Sequence, residues 1–323
     1  MKYTLIGSLK VSQICLGCMG FGDASQGMHS WTLPYEDSKK IIFHALESGI
    51  NFFDTAMAYQ SGTSEECLGR AIKEYGHRED VVIATKYTPK SDDSIDSRTY
   101  LRECLNNSLR RLQTDYIDLY IMHMWDYRTP IEDTLEILND FIKEGKIKEI
   151  GISNCFAYQL AMANTIAKER GLQGFVSVQG HYNLIFREEE REMKRYCDEE
   201  GISMTPYSAL ASGRLAKHPG ETSQRLEKDT YAKGKYDASS DLDLKIIQRV
   251  EKLASKHHVS MSEVSLSWLM SKVASPVVGA TKLKHVDTAV LATELELSEE
   301  EKQYLEEPYQ PHPLVGVMAT NTK

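Results

Sequence analysis

Short apolar segments alternate with longer segments of helical periodicity along most of the chain, and this alternation limits the fold more than any other feature. The apolar segments are rich in Ile, Val, Phe and Tyr and do not alternate polar with apolar residues, which is typical of strands buried on both faces. Eight strands are predicted, at residues 13–17, 51–54, 81–86, 116–122, 147–152, 175–179, 203–207 and 276–278, with helical segments such as 34–46, 97–112 and 129–142 between them. Repeated β-then-α units imply a parallel sheet with right-handed crossovers, and eight such units close into a (β/α)8 TIM barrel of the α/β class.

Three segments depart from this pattern, and each predicts a feature added to the simple barrel. The first dozen residues alternate around Gly7 and Ser8, as a short N-terminal β-hairpin would. After the seventh barrel strand, residues from about 211 to 240 show little periodicity, which predicts a long loop that is either functional or disordered. Two helical segments, 243–257 and 262–271, place an extra helix before the last strand. No linker or internal repeat divides the chain, so residues 1–323 are predicted to form a single barrel domain.

The charge balance and the cysteines disfavour some classes of function. The chain has 47 acidic and 38 basic residues, a formal net charge of −9, which disfavours general electrostatic binding of nucleic acid but leaves room for a local basic pocket. No apolar run approaches the length of a transmembrane helix, and the N-terminus lacks the apolar core of a signal peptide. Six scattered cysteines fit a reduced, cytoplasmic protein with neither membrane nor nucleic-acid partners.

Cys15 and Cys18 form an isolated C-x-x-C that allows two interpretations. One is a redox pair or half of a zinc site, and the other is two small apolar residues at the end of the first barrel strand. The packing interpretation is favoured, because the sequence has no second C-x-x-C and no thioredoxin-like helix after this one. A metal-dependent barrel enzyme is disfavoured as well, since no cluster of His, Asp and Glu has ligand spacing.

Four residues that can move or stabilise a proton follow three of the predicted strands. Asp54 and Tyr59 follow the second strand, Lys86 ends the third and His123 follows the fourth. Because the carboxyl ends of barrel strands converge on one mouth, we expect these side chains to meet there. A carboxylate, a phenol, an ammonium and an imidazole at one mouth would make a proton-transfer site. Taken alone, the Asp is as often a turn or cap residue, the Tyr is more often a packed surface aromatic, the Lys is usually solvated and the His is more often a structural hydrogen-bonding group. The prediction therefore depends on all four occurring in this order.

These four residues and their flanks, at 51–59, 81–86 and 118–123, resemble the catalytic tetrad of the aldo-keto reductase superfamily. The resemblance extends from residues 16–22 to residues 305–313. It implies NADPH-dependent reduction of aldehydes or ketones to alcohols, with Tyr59 as general acid and Lys86 lowering the pKa of its phenol. Asp54 would orient the ammonium, and His123 would hydrogen-bond the substrate carbonyl. A non-catalytic NADPH-binding regulator on the same fold, resembling the potassium-channel β subunits, is the alternative.

The same resemblance implies a set of NADPH contacts. Ser153, Asn154 and Gln179 would hydrogen-bond the nicotinamide carboxamide, since Asn and Gln each offer a donor and an acceptor, and the ring of Tyr207 would stack on the nicotinamide. The following loop would approach the pyrophosphate, and segment 279–285, at a helix N-terminus that favours anions, would take the 2′-phosphate. The complete predicted set is Met19, Gly20, Asp54, Ser153, Asn154, Gln179, Tyr207, Ser208, Leu210, Gly213, Arg214, Gly279, Ala280, Thr281, Lys282 and His285. His285 stands where many family members have Arg or Gln, which leaves the strictness of NADPH selectivity open.

Met19, Trp31 and Trp125 are candidate walls of the substrate pocket, together with the C-terminal tail. Trp31 lies in the loop after the first strand, where family members often place an aromatic residue. Plain packing is an equal alternative, because Met and Trp at such positions are as often only packed. Pocket walls also lie on loops that vary within a fold. The sequence therefore predicts a small carbonyl substrate without identifying it, and it leaves open whether the chain forms a homo-oligomer.

Overall fold

The computed structural model describes residues 1–27, 29–221 and 229–321. A two-stranded antiparallel hairpin, β1 (Tyr3–Ile6) and β2 (Leu9–Ser12), precedes an eight-stranded parallel sheet. The eight strands are β3 (Cys15–Gly17), β4 (Phe52–Asp54), β5 (Val82–Tyr87), β6 (Ile117–Met122), β7 (Ile147–Ser153), β8 (Ser177–Gln179), β9 (Ser203–Met204) and β10 (Val277–Gly279). Each of the eight overlaps a strand predicted from the sequence, and the hairpin turns at the predicted Gly7 and Ser8.

The sheet curls until its last strand lies beside its first. The strand order is β10–β3–β4–β5–β6–β7–β8–β9, and Val277 of β10 pairs with Cys15 of β3. On the other side of β10, the amide of Val277 donates to the carbonyl of Pro206 over 2.9 Å, and the amide of Ala274 donates to the carbonyl of Met204 over 3.1 Å. These bonds connect β9 with β10, so the chain forms the predicted (β/α)8 barrel.

Helices cover the outside of the barrel. In the described parts of the chain the α-helices are α1 (Tyr35–Glu47), α2 (Thr63–Tyr75), α3 (Ser97–Leu112), α4 (Ile131–Lys143), α5 (Ala157–Glu169), α6 (Met193–Glu200), α7 (Thr230–Tyr236), α8 (Ser240–His257), α9 (Met261–Met270), α10 (Leu283–Ala292), α11 (Glu299–Glu306) and α12 (Val317–Thr320). The Asp96 side chain caps α3, and a capping box of Ser260 and Glu263 starts α9. Helices α8 and α9 are the helical pair predicted before the last strand. None of the described helices is long and apolar enough to cross a membrane.

The stretch after β9, predicted as one long aperiodic loop, contains short helical elements. A 3-10 turn covers Ala211–Ala216, and helix α7 begins where the Asp229 side chain accepts the amide of Ala232 over 2.9 Å. These elements are too short to produce a visible period in the sequence. Residues 222–228 of the predicted loop lie outside the described residues.

Successive residues of each barrel strand point alternately into the barrel and towards the helices. The inner core consists of Ile6, Leu9 and Val11 of the hairpin and of Cys15, Phe52, Val82, Ala84, Leu119 and Ile121 of the barrel strands. Two residues beyond Phe52, Ala84 and Ile121 come Asp54, Lys86 and His123. The same alternation therefore points these three side chains into the barrel at its carboxyl end.

Cys15 and Cys18 are buried free thiols. Cys15 belongs to the inner core, and Cys18 packs in the core between the barrel and the helices. Burial raises the pKa of both thiols well above the usual range, which keeps them protonated and unreactive. These observations favour the packing interpretation of the C-x-x-C.

Candidate active site

Lys86 is the centre of a hydrogen-bonded cluster at the carboxyl end of the barrel. Its Nζ donates to Oδ1 of Asp54 over 2.5 Å, to the carbonyl of Thr55 over 2.7 Å and to Oη of Tyr59 over 3.2 Å. The side chain of Lys86 has no exposed surface, and Asp54 is only 2% exposed. The structure therefore brings together three of the predicted proton-handling residues, and the Thr55 carbonyl is a further partner that the sequence pattern did not indicate.

Tyr59 reaches this cluster from a short 3-10 turn, Tyr59–Gly62, that follows β4. Burial raises the pKa of its phenol, and the neighbouring Lys86 opposes this effect without cancelling it. The expectation that Lys86 lowers the pKa of the phenol has the right sign for the lysine's own contribution, but the net shift is upward. Removing the phenolate from water costs more than the ammonium recovers. The phenol is therefore fully protonated at neutral pH.

The ammonium of Lys86 is stabilised by its partners. Burial alone would lower the pKa of Lys86, because a charged amine is poorly solvated inside a protein. Asp54 and Tyr59 outweigh that effect by their charges and hydrogen bonds and raise the pKa above its ordinary value. Lys86 is thus a fixed positive charge 3.2 Å from the phenol oxygen.

Gln179, predicted to bind a carboxamide, is also part of the proton-handling cluster. Its Nε2 donates to Oδ2 of Asp54 over 2.9 Å, so both oxygens of the carboxylate are engaged. The backbone carbonyl of Gln179 in turn accepts from Oγ of Ser153 over 2.8 Å. Gln179 therefore connects β8 with β4 through its side chain and with β7 through its backbone.

His123 completes the predicted group of four. Its ring lies edge-on to the ring of Tyr59, with centroids 5.8 Å apart and an interplanar angle of 80°. Burial and the charge of Lys86 lower the pKa of His123 to about 3, so the imidazole is neutral at physiological pH. Its Nδ1 has no hydrogen-bond partner among the described residues. His123 therefore places a neutral imidazole beside the ring of Tyr59.

Asn154 connects His123 with Tyr207 by hydrogen bonds from its side chain. Its backbone has φ 50°, a left-handed conformation that asparagine tolerates better than most residues. Its Nδ2 donates to the carbonyl of His123 over 2.9 Å, and its Oδ1 accepts the hydroxyl of Tyr207 over 2.9 Å. The predicted residues Ser153, Asn154, Gln179 and Tyr207 are therefore contiguous with the four proton-handling residues.

The ring of Tyr207 is supported from behind by residues that the sequence analysis missed. His181 stacks on Tyr207 with a centroid distance of 5.5 Å and an interplanar angle of 12°, and Phe186 stacks on His181 at 4.0 Å. The Nζ of Lys235 lies 4.9 Å from the Tyr207 ring centroid. His181 could have been found from the sequence, because it lies two residues after Gln179 and so continues the same strand direction beyond β8. Lys235 lies in the aperiodic stretch and had no such indication.

Four residues with left-handed backbone lie shortly after Tyr207. Ser208, Ala211, Ser212 and Gly213 have φ values of 59°, 47°, 55° and 102°. Successive backbone amides in such turns form concave sites that bind anions. Arg214 follows directly: its Nη2 donates to Asp237 over 2.5 Å, while its buried Nη1 has no partner among the described residues. Backbone shape and an unused guanidinium donor both fit a phosphate group here.

The segment that leads from β10 into α10 holds the second predicted anion site. Lys282 is exposed and immediately precedes the first residue of α10. The amide of Thr281 donates to Nδ1 of His285 over 3.2 Å. Burial, assisted by the charges of Lys284 and Lys282, lowers the pKa of His285. His285 is therefore neutral at physiological pH, and its ring accepts a hydrogen bond within the turn. Of Lys282 and His285, both predicted to contact the 2′-phosphate, Lys282 is the one that carries a positive charge.

The remaining predicted residues lie around the same mouth. Gly20 and Met19 belong to the 3-10 turn Cys18–Gly20 after β3, Leu210 precedes the turn Ala211–Ala216, Gly279 ends β10 and Ala280 follows it. A Cβ atom on Gly20 would lie 3.3 Å from Cζ3 of Trp31, so the indole packs directly over this turn. Trp125 is buried, and its backbone links Asn154 to the C-terminal tail through Asn321.

The structure is a (β/α)8 barrel whose carboxyl end holds a buried lysine–carboxylate pair, a phenol and a neutral imidazole, which are groups of the kind that acid–base chemistry uses. Residues 13–310 match the sequence model of the aldo/keto reductase family. An aldo-keto reductase of Fusarium vanettenii is 37% identical, with 95% of this chain and 90% of that protein covered. The versiconal hemiacetal acetate reductase of Aspergillus parasiticus is 38% identical over 96% of this chain and 98% of that protein. The solved glycerol dehydrogenase of Gluconobacter oxydans matches with a TM-score of 0.78 and 26% identity, covering 97% of each chain.

The chain belongs to the aldo-keto reductase family. Membership makes it an oxidoreductase of carbonyl and alcohol groups in small molecules, and members of this family generally use nicotinamide cofactors.

Proposed function

We propose that the protein is an NADPH-dependent reductase of aldehydes or ketones, with Tyr59 as the proton donor. The observation that carries the proposal is the position of the Lys86 ammonium, 3.2 Å from the Tyr59 hydroxyl and 2.5 Å from Asp54 in a buried cluster. A phenol is a poor acid in an apolar site, and a fixed cation beside it stabilises the phenolate that forms when the proton leaves.

The reduction divides into two transfers. A bound reduced nicotinamide supplies a hydride to the carbonyl carbon. Tyr59 gives its proton to the carbonyl oxygen, and the developing phenolate is held by Lys86. Because the pKa of Tyr59 is raised, the phenol keeps its proton in the resting protein and releases it only to the strongly basic oxygen of a substrate that has accepted hydride.

His123 has a separate role in this proposal. A neutral imidazole can hydrogen-bond a carbonyl oxygen beside Tyr59 without placing a second full charge next to Lys86. The carbonyl is then held between the phenol and the imidazole, which orients it for proton transfer. Which nitrogen carries the proton is set by the bonds made when substrate is present.

The residues around the mouth fit a phosphorylated dinucleotide. The donors of Ser153 and Asn154 are used within the protein, but the side-chain oxygens of both residues can each accept a further hydrogen bond, as from a carboxamide. Tyr207 offers an aromatic face, and the left-handed turn with Arg214 offers donors to a pyrophosphate. Lys282 at the start of α10 is suited to a 2′-phosphate, because a lysine–phosphate bond is charge-assisted. This last feature is the reason for proposing NADPH rather than NADH.

Steady-state turnover tests the proposal against the alternative of a non-catalytic NADPH-binding regulator. NADPH oxidation at 340 nm is followed with a panel of small aliphatic and aromatic aldehydes and ketones, and NADPH binding is measured in parallel by fluorescence. The proposal predicts many turnovers per active site with at least one carbonyl. NADPH binding with at most one turnover across the panel would support the regulator instead.

A further inference from the structure

Gln60, the residue after Tyr59, is 1% exposed and lies beneath the loop that joins β3 to α1. Its Oε1 accepts the amide of His29 over 3.1 Å. Its Nε2 lies 2.9 Å from the carbonyl of Asp23 and 3.0 Å from that of His29, and it also contacts the carbonyl of Gln26. One side chain therefore bonds the backbone of this loop at three positions.

The backbone around Gln60 is held in a disfavoured conformation. Gln60 and Ser61 have φ values of 47° and 55°, and Gly62 follows with 95°. Residues other than glycine rarely adopt these values, and they persist where the surrounding structure constrains them. The bonds of the Gln60 amide provide such a constraint immediately beside Tyr59.

The loop above Gln60 has little structure of its own. Its ends are joined, because the amide of Gly22 donates to the carbonyl of Leu33 over 2.9 Å. Its described interior, residues 23–27 and 29–32, contains neither helix nor strand. A Cβ atom on Gly27 would lie 2.8 Å from Cα of Gln60, so the loop backbone approaches the Gln60 backbone directly. The loop is therefore held by contacts with the turn that carries Tyr59.

This loop carries Trp31, which packs over Gly20 at the carboxyl end of β3. Gly20 also lies close to Thr281, on the segment after β10. Trp31 thus covers one side of the mouth on which Tyr59, Lys86 and His123 converge.

We propose that Gln60 is a positioning residue that sets the shape of the substrate pocket. By holding the loop, it fixes Trp31 at the mouth and so determines how tightly a carbonyl substrate is bound, without touching the reacting atoms. This inference rests on the proposed reductase function. Glutamine suits the position because the loop backbone needs an acceptor for an amide and donors for several carbonyls. An apolar side chain of similar length would fill the space but leave those groups without partners.

Two substitutions separate hydrogen bonding from space filling. Gln60→Gly removes the side chain and relieves the positive φ, so the variant is expected to fold, whereas Gln60→Met keeps the length without the amide. Gln113 is the matched control, since it has φ 52° and is exposed at the end of α3. Both Gln60 variants should raise KM for carbonyl substrates by about tenfold or more, the usual effect of a lost pocket contact, with kcat changed less than about threefold. Gln113→Gly and Gln113→Met should leave both constants unchanged.

Tryptophan fluorescence gives a second readout that needs no turnover. The chain has three tryptophans, and in a Trp125→Phe background only Trp31 and the fully buried Trp268 remain. Acrylamide should quench a larger share of this emission in both Gln60 variants than in the background protein. A parent with no carbonyl turnover, but with increased quenching in the variants, would contradict the proposed function while supporting the loop-holding role. Unchanged quenching, an unchanged KM in Gln60→Met, or a loss confined to kcat would overturn the proposal.

Discussion

The side-chain amide of Gln179 donates to Oδ2 of Asp54 over 2.9 Å and thereby joins β8 to β4 across the carboxyl end of the barrel. The other carboxylate oxygen accepts from Lys86 over 2.5 Å. Gln179 therefore helps to hold Asp54 in the orientation from which Lys86 also reaches Tyr59. The resemblance to the family assigned Gln179 only to the cofactor, and the structure adds this connection.

Replacing Gln179 by methionine should lower kcat at saturating cofactor. A hydrogen bond to a charged group contributes about 1.5–3 kcal/mol, so a fall on the order of tenfold to 100-fold is expected if the carboxylate loses its orientation. Gln173→Met is the matched control, because Gln173 donates to the carboxylate of Glu149 outside the candidate active site. An equal loss of kcat in both variants would show that the effect is general to the barrel.

Replacing Lys86 by methionine should cost stability as well as activity. The substitution leaves the buried carboxylate of Asp54 without its counter-charge, which typically destabilises a protein by about 3–5 kcal/mol. The double variant with Asp54→Asn removes both charges and should recover much of that loss while remaining inactive. Urea unfolding measures the stabilities. A double variant no more stable than Lys86→Met would refute the buried ion pair as the cause.

The lowered pKa of His123 predicts a pH dependence of stability. An unfolded histidine binds a proton below a pH of about 6.5, whereas the pKa of folded His123 is about 3. Between these values the unfolded state binds more protons, so stability is lost as the pH falls from 7 towards 3. Between pH 7 and pH 5, His123→Asn should lose less free energy of unfolding than the parent. The difference should be on the order of 1 kcal/mol, because His123 is only partly buried.

The exposed His258, which has φ 56° and so accepts asparagine readily, provides the control for this measurement. His258→Asn should show the same loss between pH 7 and pH 5 as the parent. If His123→Asn also matches the parent, His123 is not held neutral by its surroundings.

Lys282 should discriminate between the two nicotinamide dinucleotides. Lys282→Ala is expected to weaken NADPH binding by an order of magnitude or so, the effect of losing a charge-assisted bond, and to leave NADH binding nearly unchanged. Lys284→Ala, at the second residue of α10, is the control. Because Nδ1 of His285 already accepts the amide of Thr281, and burial lowers the pKa of its imidazole, the preference for NADPH should not sharpen as the pH falls towards 6. Dissociation constants from fluorescence titration test both statements, and equal losses for both cofactors would remove the 2′-phosphate assignment.

The barrel could be predicted from the regular spacing of apolar segments, and the cluster around Lys86 from the positions of its residues at strand ends. Apolar segments at regular intervals predict parallel strands, and strand ends in a barrel converge. Asp54 and Lys86 therefore had to lie close together once the strands were assigned.

Other features could not be predicted because they depend on tertiary contacts. Gln60 bonds a distant loop through backbone groups, and nothing in the local sequence indicates either these partners or its positive φ. Lys235 lies in an aperiodic stretch, yet it approaches the ring of Tyr207. The net direction of the Tyr59 pKa shift depends on the balance between burial and a neighbouring charge, which only the packed structure determines.

Replacing Tyr59 by phenylalanine tests the proton-donor role most directly. The substitution keeps the aromatic ring and removes the hydroxyl that Lys86 contacts. We expect kcat for NADPH-dependent aldehyde reduction to fall by roughly 10²–10⁴, the usual contribution of general acid catalysis, while the dissociation constant for NADPH stays close to that of the parent. A Tyr59→Phe variant that reduces aldehydes at nearly the parent rate would contradict the assignment of Tyr59 as the proton donor.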